Sequence, residues 1–326
     1  MERSDSRNTT IDLFRLIATF GVITIHVPFS TPAAKIYFNV FWPFCVPFFY
    51  MASLTFYFIH LENFKGDRLK KKVQRLVYPY ISWTIIYLTL IFIKHSFTHS
   101  GNPVNPVAAV FYGSSAVHLY FLPNLLGMQA LIYGIYNLKK DSHINLNALA
   151  VLIISIIYFF VGYRFQYFGF SSAGSILAIP FYILIAYWAS SKILGKDNNR
   201  LLTIIGILIV LFMIVSNFSG FHYILMDFDL ILIFGGMGLL LLAIGSPFLG
   251  DISKIKYIAG CSYGIYLSHV LFLETFKLYI ERIFKINLYY NFYVTTLIVI
   301  SIFLMSLLFV ILIRKIPHLK FYLFGE

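Results

Sequence analysis

Charged residues are scarce in this chain of 326 residues: Asp, Glu, Lys and Arg together make up 12% of it, and only 13 residues are acidic. Soluble domains carry about 25% charged residues, so the chain has half the usual share. It also lacks any long hydrophilic stretch that would fold as a separate soluble domain. These absences exclude an ordinary soluble protein, and we expect residues 1–326 to form a single transmembrane domain with no appended soluble domain.

Cysteine is rare as well, and familiar catalytic motifs are missing. Cys45 and Cys261 both lie in apolar segments, which indicates neither a disulfide framework nor a metal site. The nine histidines are scattered, and no zinc-binding pattern is predicted from them. There is no phosphate-binding glycine loop and no Gly-x-Ser-x-Gly turn. No cleavable signal peptide is evident, so the first apolar segment is expected to remain as a membrane anchor.

Hydrophobic residues make up 60% of the chain, and the mean hydropathy is +0.82. Repeated apolar runs of near membrane-spanning length predict an all-α polytopic protein with about ten transmembrane helices. We place it in the cell membrane (plasma or inner membrane) as a multi-pass protein. The predicted spans are 11–29, 38–60, 76–94, 117–137, 146–163, 174–190, 200–217, 224–244, 257–280 and 292–314.

The distribution of positive charge tests this count, because cytoplasmic loops of membrane proteins are enriched in Lys and Arg. With the N-terminus placed inside, 18 of the 25 Lys and Arg residues fall in inside segments, six fall in outside segments and Arg15 lies within the first span. This split predicts ten spans with both termini in the cytoplasm. The net charge of +12 is then explained by topology, and no nucleic-acid partner is predicted.

The first span carries polar groups along one face. Asp12, Arg15, Thr19 and His26 fall within a sector of about 60° on a helix, with Arg15 and His26 about 16 Å apart along its axis. Ionisable groups inside a bilayer rarely face lipid, so the other helices are expected to pack around this stripe. One interpretation is a structural Asp12–Arg15 pair with an interfacial His26. The other is a polar track in which His26 is the general base and Arg15 binds an anion or a carbonyl.

A basic run, residues 65–75, follows the second span. It is either a plain cytoplasmic anchor on anionic lipid or a docking site for a phosphorylated donor. Arg68, Lys72 and Arg75 of this run are the candidate donor-binding residues.

Two further stretches supply pocket candidates. His118 opens the fourth span from the outer side, either as a wet interfacial histidine or as part of a site. Ser262, Tyr266 and His269 follow at i, i+4 and i+7 in the ninth span, so they share a helix face. They would either join helices as structural contacts or line a cavity.

Taken together, these stretches resemble the membrane-bound acyltransferase-3 family, which includes bacterial O-antigen and cell-wall O-acetyltransferases. Arg15 and His26 match its arginine, ten residues, histidine motif. Lys72 stands for the first arginine of its arginine, two residues, arginine segment, and Tyr120 stands where a tryptophan is usual. The matching blocks, in the family's order, are Ile11–Arg15 with His26, Pro47–Ser53, Lys72–Pro79, His118–Leu122 and Ser262–His269.

The resemblance implies that an acyl group passes from cytoplasmic acyl-CoA to an acceptor at the outer face. Arg15 and His26 would be the catalytic pair, with Lys72 and Arg75 on the donor side. We therefore expect an integral membrane O-acyltransferase that transfers an acyl group, most simply acetyl, to a hydroxyl of an extracytoplasmic glycan or lipid-linked sugar. Acyl-CoA is expected as a co-substrate rather than a tightly bound cofactor, and the other partners are the acceptor, membrane lipid and, optionally, further copies of the chain.

A rival interpretation uses the same polar track without chemistry. In it the protein is a transporter or exporter of a small polar solute or polysaccharide. Donor dependence separates the two, because a transporter needs no acyl-CoA. Whether His26 acts as a base or briefly carries the acyl group is left open by the sequence.

Overall fold

A computed structural model describes residues 8–61, 67–98, 106–141, 178–193, 198–219, 228–283, 285 and 288–326. Within these ranges the chain is helical and contains no strand, as the composition predicted. The helices are α1 (Thr9–His26), α2 (Pro32–Phe41), α3 (Cys45–Ile59), α4 (Asp67–Thr98), α5 (Pro106–Tyr112), α6 (Phe121–Asp141), α7 (Ile179–Ser190), α8 (Arg200–Ser219), α9 (Phe228–Gly245), α10 (Ser253–Gly260), α11 (Ser262–Lys277), a π-helix (Leu278–Ile283), α12 (Phe292–Ile313) and α13 (Pro317–Phe324).

Several of these segments are long and apolar enough to cross a membrane, and the chain is a multi-pass membrane protein. Shorter apolar helices occur at α7 and in the Ile231–Gly245 part of α9. The predicted fifth span, 146–163, lies outside the described residues, so the count of ten and the orientation of the termini stay predictions. Within the described ranges, the five segments long enough to cross a membrane are Thr9–His26, Pro32–Ile59, Leu69–Ser96, Arg200–Ser219 and Phe292–Ile313.

Some predicted spans differ in detail from the helices. The second begins at Pro32 rather than 38 and breaks between α2 and α3. The ninth is divided at Cys261, where α10 ends and α11 begins. The basic run was predicted to lie outside the spans, but its residues 67–75 belong to α4, which begins at Asp67. Periodicity locates apolar stretches well, but it does not show where an apolar stretch bends.

The chain divides into two compact units. The first contains residues 1–18, 39–62 and 128–259, and the second contains residues 19–38, 63–127 and 260–326.

In the first unit, α9 packs against α8, α3 and α7. Glycines on α9 allow this close approach: a Cβ on Gly235 would lie 2.1 Å from the carbonyl oxygen of Pro43, and one on Gly238 would lie 2.9 Å from Ile209. Lipid tails are as apolar as the helices, so helices in a bilayer gain contact chiefly through small residues that bring backbones together. The glycine-rich face of α9 serves this purpose.

The start of α1 is held in the same unit by hydrogen bonds. The Asn8 side chain caps α1 by accepting from the Ile11 amide (3.1 Å), and it donates to the Ala243 carbonyl (2.7 Å). Thr10 donates through Oγ1 to the Ser246 carbonyl and accepts from the Leu249 amide. The Asn8 side chain thus pairs an amide that the helix N-terminus would otherwise leave unpaired, and the contacts together fix the position of α1 just before Asp12.

In the second unit, α11 packs against α12 and α13, and α4 packs against α13 and α5. Gly264 of α11 permits contact with Val310 of α12 and with Phe324. Trp83 of α4 is fully buried and donates from Nε1 to the Leu323 carbonyl at 2.9 Å. This packing places the middle of α4 and the middle of α11 in one core.

Candidate active site

Three histidines that are far apart in the sequence meet within the second unit. His26 is the last residue of α1, His118 lies in the turn before α6, and His269 lies at the middle of α11. The rings of His26 and His269 are stacked, with centroids 5.5 Å apart and an interplanar angle of 25°. The centroids of His118 and His269 are 4.7 Å apart. His269 therefore contacts both of the others, and we call the three residues the histidine cluster.

The members of the histidine cluster differ in exposure. His269 is fully buried and His118 is 2% exposed, whereas His26 is only partly buried. A substrate can therefore reach His26 most directly. The buried rings of His118 and His269 form part of the environment of His26.

Hydrogen bonds to backbone carbonyls fix the two buried rings. His269 Nδ1 lies 2.6 Å from the Tyr266 carbonyl oxygen, and His118 Nε2 lies 3.3 Å from the Leu267 carbonyl oxygen. A carbonyl only accepts, so these nitrogens carry the hydrogen in the neutral rings. His269 Nε2 and His118 Nδ1 then remain as acceptors, and both are buried without a hydrogen-bond partner among the described residues. The cluster thus presents proton-accepting nitrogens beside His26.

Two tyrosines hold this arrangement. The Tyr266 hydroxyl donates to the His118 carbonyl at 2.5 Å, so Tyr266 is a close neighbour of the cluster. The Tyr87 hydroxyl donates to the Leu267 carbonyl (2.7 Å) and accepts from the Leu271 amide (3.2 Å). It therefore lies beside the backbone turn of α11 that carries His269, and its ring meets His118 edge-on. Tyr87 was not predicted from the sequence, because nothing there distinguishes it from the other aromatic residues of an apolar span.

The turn before α6 explains the position of His118. The sequence predicted a span from 117, but α6 begins at Phe121 and His118 lies in the turn that precedes it. Gly113 has φ +68°, and a Cβ there would lie 2.6 Å from the backbone of Leu119. The chain therefore folds back tightly on itself, which only glycine permits at this position. The fold-back brings His118 to α11.

A group of charged residues lies further along α11. Glu274 accepts hydrogen bonds from Lys94 at the end of α4 (2.9 Å) and from Lys277 (3.4 Å). All three side chains are partly exposed. Glu274 is five residues beyond His269, or about 7 Å along the helix. Glu274 was not among the predicted site residues, although an acidic residue within an apolar span is itself a signal.

Ser262 does not join the histidine cluster. It is the first residue of α11 and lies seven residues before His269, about 10 Å away along the helix axis. Its side chain is fully buried, and its Oγ has no hydrogen-bond partner among the described residues. Ser262 and His269 do lie on one face of α11, but sharing a face does not place Ser262 beside the imidazole rings.

The polar stripe of α1 faces inward, as predicted. Asp12 is 6% exposed and Thr19 is fully buried, while Ile17 on another side of the helix is 41% exposed. Arg15 is partly buried. Asp12 and Arg15 belong to the first unit, and His26 belongs to the second.

The donor-side candidates lie at the beginning of α4. Lys72 and Arg75 are three residues apart, so they share a helix face, and Arg75 is exposed while Lys72 is partly buried. Arg68 also belongs to α4, but its side chain lies outside the described part of the structure. Among the described residues, no three His, Cys, Asp or Glu side chains are grouped to hold a metal ion.

Comparison with known protein families gives a match over most of the chain. The acyltransferase-3 family profile, described as an acyltransferase domain, matches residues 8–315. The matched range includes α1 through α12 and all residues of the histidine cluster. Searches of curated proteins and of solved structures give no match.

Proposed function

Because the chain belongs to the acyltransferase-3 family, we propose that it is an integral membrane O-acyltransferase that takes an acyl group from cytoplasmic acyl-CoA. The acceptor is a hydroxyl of an extracytoplasmic glycan or lipid-linked sugar, and acetyl is the simplest acyl group. The observation that carries the proposal is the partly exposed His26, stacked on a buried His269 that also contacts His118.

His26 acts as the general base in this proposal. It removes the proton of the acceptor hydroxyl, and the oxygen attacks the thioester carbonyl. The C–S bond then breaks, the acyl group stays on the acceptor oxygen, and the proton passes from His26 to the leaving thiolate of CoA. A thioester is already activated, so one well-placed imidazole is a sufficient catalyst for this step.

The buried histidines hold His26 in position rather than reacting themselves. The stacked ring of His269 restricts the orientation of His26, and His269 is fixed through the Tyr266 carbonyl. Holding a reacting group in one geometry lowers the entropic cost of reaching the transition state. His118 and Tyr266 support His269 from its other side.

The cationic residues bind the donor. Lys72 and Arg75 at the beginning of α4 attract the phosphate groups of CoA, since charge-assisted contacts to phosphate are strong. Arg15, which stays charged, orients the thioester carbonyl or a phosphate on the inner half of α1. Asp12, one turn before Arg15, holds it in place.

The direct test is mass spectrometry of surface glycans from cells with the protein, without it, and with His26→Ala. We expect loss of one acyl substituent both without the protein and with the variant, which would act at least about a hundredfold more slowly. If the whole glycan disappears from the surface, the exporter interpretation is favoured instead. Unchanged acylation with His26→Ala would remove His26 from its role, and a trapped acyl-histidine would show that His26 carries the group covalently.

A further inference from the structure

Pro79 lies inside α4, one turn after the donor-side residue Arg75. A regular helix pairs the amide at position 79 with the carbonyl at position 75, but proline has no amide hydrogen. The Arg75 carbonyl therefore lacks its usual donor. Proline within a helix is also the commonest cause of a kink, so the segment from Asp67 to Arg75 is joined to the rest of α4 at a weak point.

Gly325 lies against this same carbonyl. It follows α13 directly, has φ +69°, and donates its amide hydrogen to the Phe321 carbonyl at 2.9 Å, which closes the helix in a left-handed cap. A Cβ on Gly325 would lie only 2.1 Å from the Arg75 oxygen. The glycine Cα is thus in contact with the carbonyl that Pro79 leaves open, in the manner of a weak Cα–H···O bond.

Independent contacts hold α13 at this place. Trp83 Nε1 donates to the Leu323 carbonyl at 2.9 Å, and the ring of Tyr78 meets that of Phe321 edge-on at 5.3 Å. Phe324 is 2% exposed. Residues 321–325, which we call the clasp, therefore contact α4 beyond the proline at Trp83 and before the proline at Arg75 and Tyr78.

We infer that the clasp positions Lys72 and Arg75 for the phosphate groups of the donor. The clasp contacts α4 on both sides of Pro79, so the first turns of α4 stay fixed relative to the rest of the helix. The side chains of Lys72 and Arg75 therefore keep one orientation. Gly325 is a positioning residue in this inference, because it touches the backbone of Arg75 and not the substrate. The inference rests on the proposed function, in which these two cations bind acyl-CoA.

The test replaces Gly325 with alanine and compares two thioesters. Acetyl-CoA carries phosphate groups, whereas S-acetylpantetheine carries the same thioester without them. We expect Gly325→Ala to raise KM for acetyl-CoA about tenfold, as for the loss of one charge-assisted contact, and to leave kcat/KM for S-acetylpantetheine unchanged. Trp83→Phe, which keeps an aromatic ring and removes the Nε1 hydrogen bond, should also raise KM for acetyl-CoA, but by a smaller factor than Gly325→Ala.

Gly134→Ala is the matched control. Gly134 lies within α6, and a Cβ there would meet nothing within 4 Å, so both thioesters should react as with the unaltered protein. Equal losses with both thioesters in Gly325→Ala would indicate general damage and overturn the inference. Unchanged kinetics with both would overturn it as well.

A spin label makes the outcome independent of activity. Cys45 and Cys261 are buried, so a label attached at Lys71→Cys, an exposed position of α4, reports on the first turns of that helix. We expect Gly325→Ala to increase the mobility of the label and Gly134→Ala to leave it unchanged. Unchanged mobility in Gly325→Ala would overturn the clasp. If the unaltered protein does not use acetyl-CoA at all, that result would instead count against the proposed function. The mobility of the spin label would still show whether the clasp fixes the first turns of α4.

Discussion

At the scale of single residues, the candidate site is organised by hydrogen bonds to backbone carbonyls. Tyr266 and Leu267, consecutive residues of α11, each accept a hydrogen bond from a histidine through their carbonyl oxygens. Polar groups buried in an apolar surrounding are costly unless they are paired, so a ring held in this way has one favourable orientation. The partly exposed His26 is consequently packed against a ring that is itself fixed.

Tyr87→Phe tests this support. The substitution keeps the ring but removes the hydroxyl that joins Leu267 and Leu271, leaving two buried backbone groups without that partner. We expect the free energy of unfolding to fall by about 1–3 kcal/mol, measured by denaturation in detergent micelles. The rate of acyl transfer should fall as well, because the turn that carries His269 loosens.

The control for this prediction is Tyr293→Phe, which removes a hydroxyl from a side chain that is 81% exposed. It should leave stability unchanged. Equal effects of the two substitutions would show that the Tyr87 hydroxyl is not a specific support of α11.

At this scale, the sequence was informative where ionisable residues occur within an apolar span, because such residues are unusual in a membrane. The first apolar helix carries Asp12, Arg15, Thr19 and His26 on one face, and this pattern predicted that the face points inward. The burial of Asp12 and Thr19 agrees with that prediction. Tyr87 gave no such signal, because its hydroxyl acts on a helix that is 180 residues away in the sequence. Single-helix spacing also could not separate Ser262 from His269, since a shared face extends over several turns.

At the scale of helices, close backbone approach determines how the first unit packs. Gly235 faces the Pro43 carbonyl with no room for a side chain. Hydropathy predicted α9 as a membrane span, but it did not predict which helices α9 packs against. The glycines that permit those contacts contribute little to the mean hydropathy of the segment.

Gly235→Ala should therefore destabilise the first unit. The added methyl group would force α9 and the Pro43 segment apart at a cost of about 1–3 kcal/mol, as overpacking does in other cores. Thermal unfolding in detergent would measure this loss. Gly134→Ala, with open space around the added atom, should be neutral or slightly stabilising, because alanine favours helix more than glycine does. A neutral Gly235→Ala would contradict the close packing of α9.

At the scale of the whole molecule, the charge distribution predicts topology. Lys and Arg concentrate in alternate connecting segments, which indicates both termini in the cytoplasm. The described helices support a multi-pass protein, and the charge distribution predicts its orientation. The direction of the α1 stripe, with Arg15 inside and His26 outside, depends on that orientation.

Cysteine labelling tests the orientation. Cys45 and Cys261 are buried, so introduced cysteines can be labelled against a low background. With an impermeant maleimide on intact cells, Ser100→Cys should be labelled from outside, and Ser142→Cys should be labelled only after the membrane is opened. The reverse pattern would invert the predicted topology and, with it, the sides of donor and acceptor.

The central claim is that an acyl group crosses from a donor inside to an acceptor outside with His26 as the base. Inside-out membrane vesicles test it most directly, with radiolabelled acetyl-CoA supplied only to their exposed cytoplasmic face. We predict that label appears in glycan on the lumenal side, and that it persists with Gly134→Ala and is lost with His26→Ala. Equal labelling with His26→Ala, or labelling that requires opened vesicles, would contradict the account.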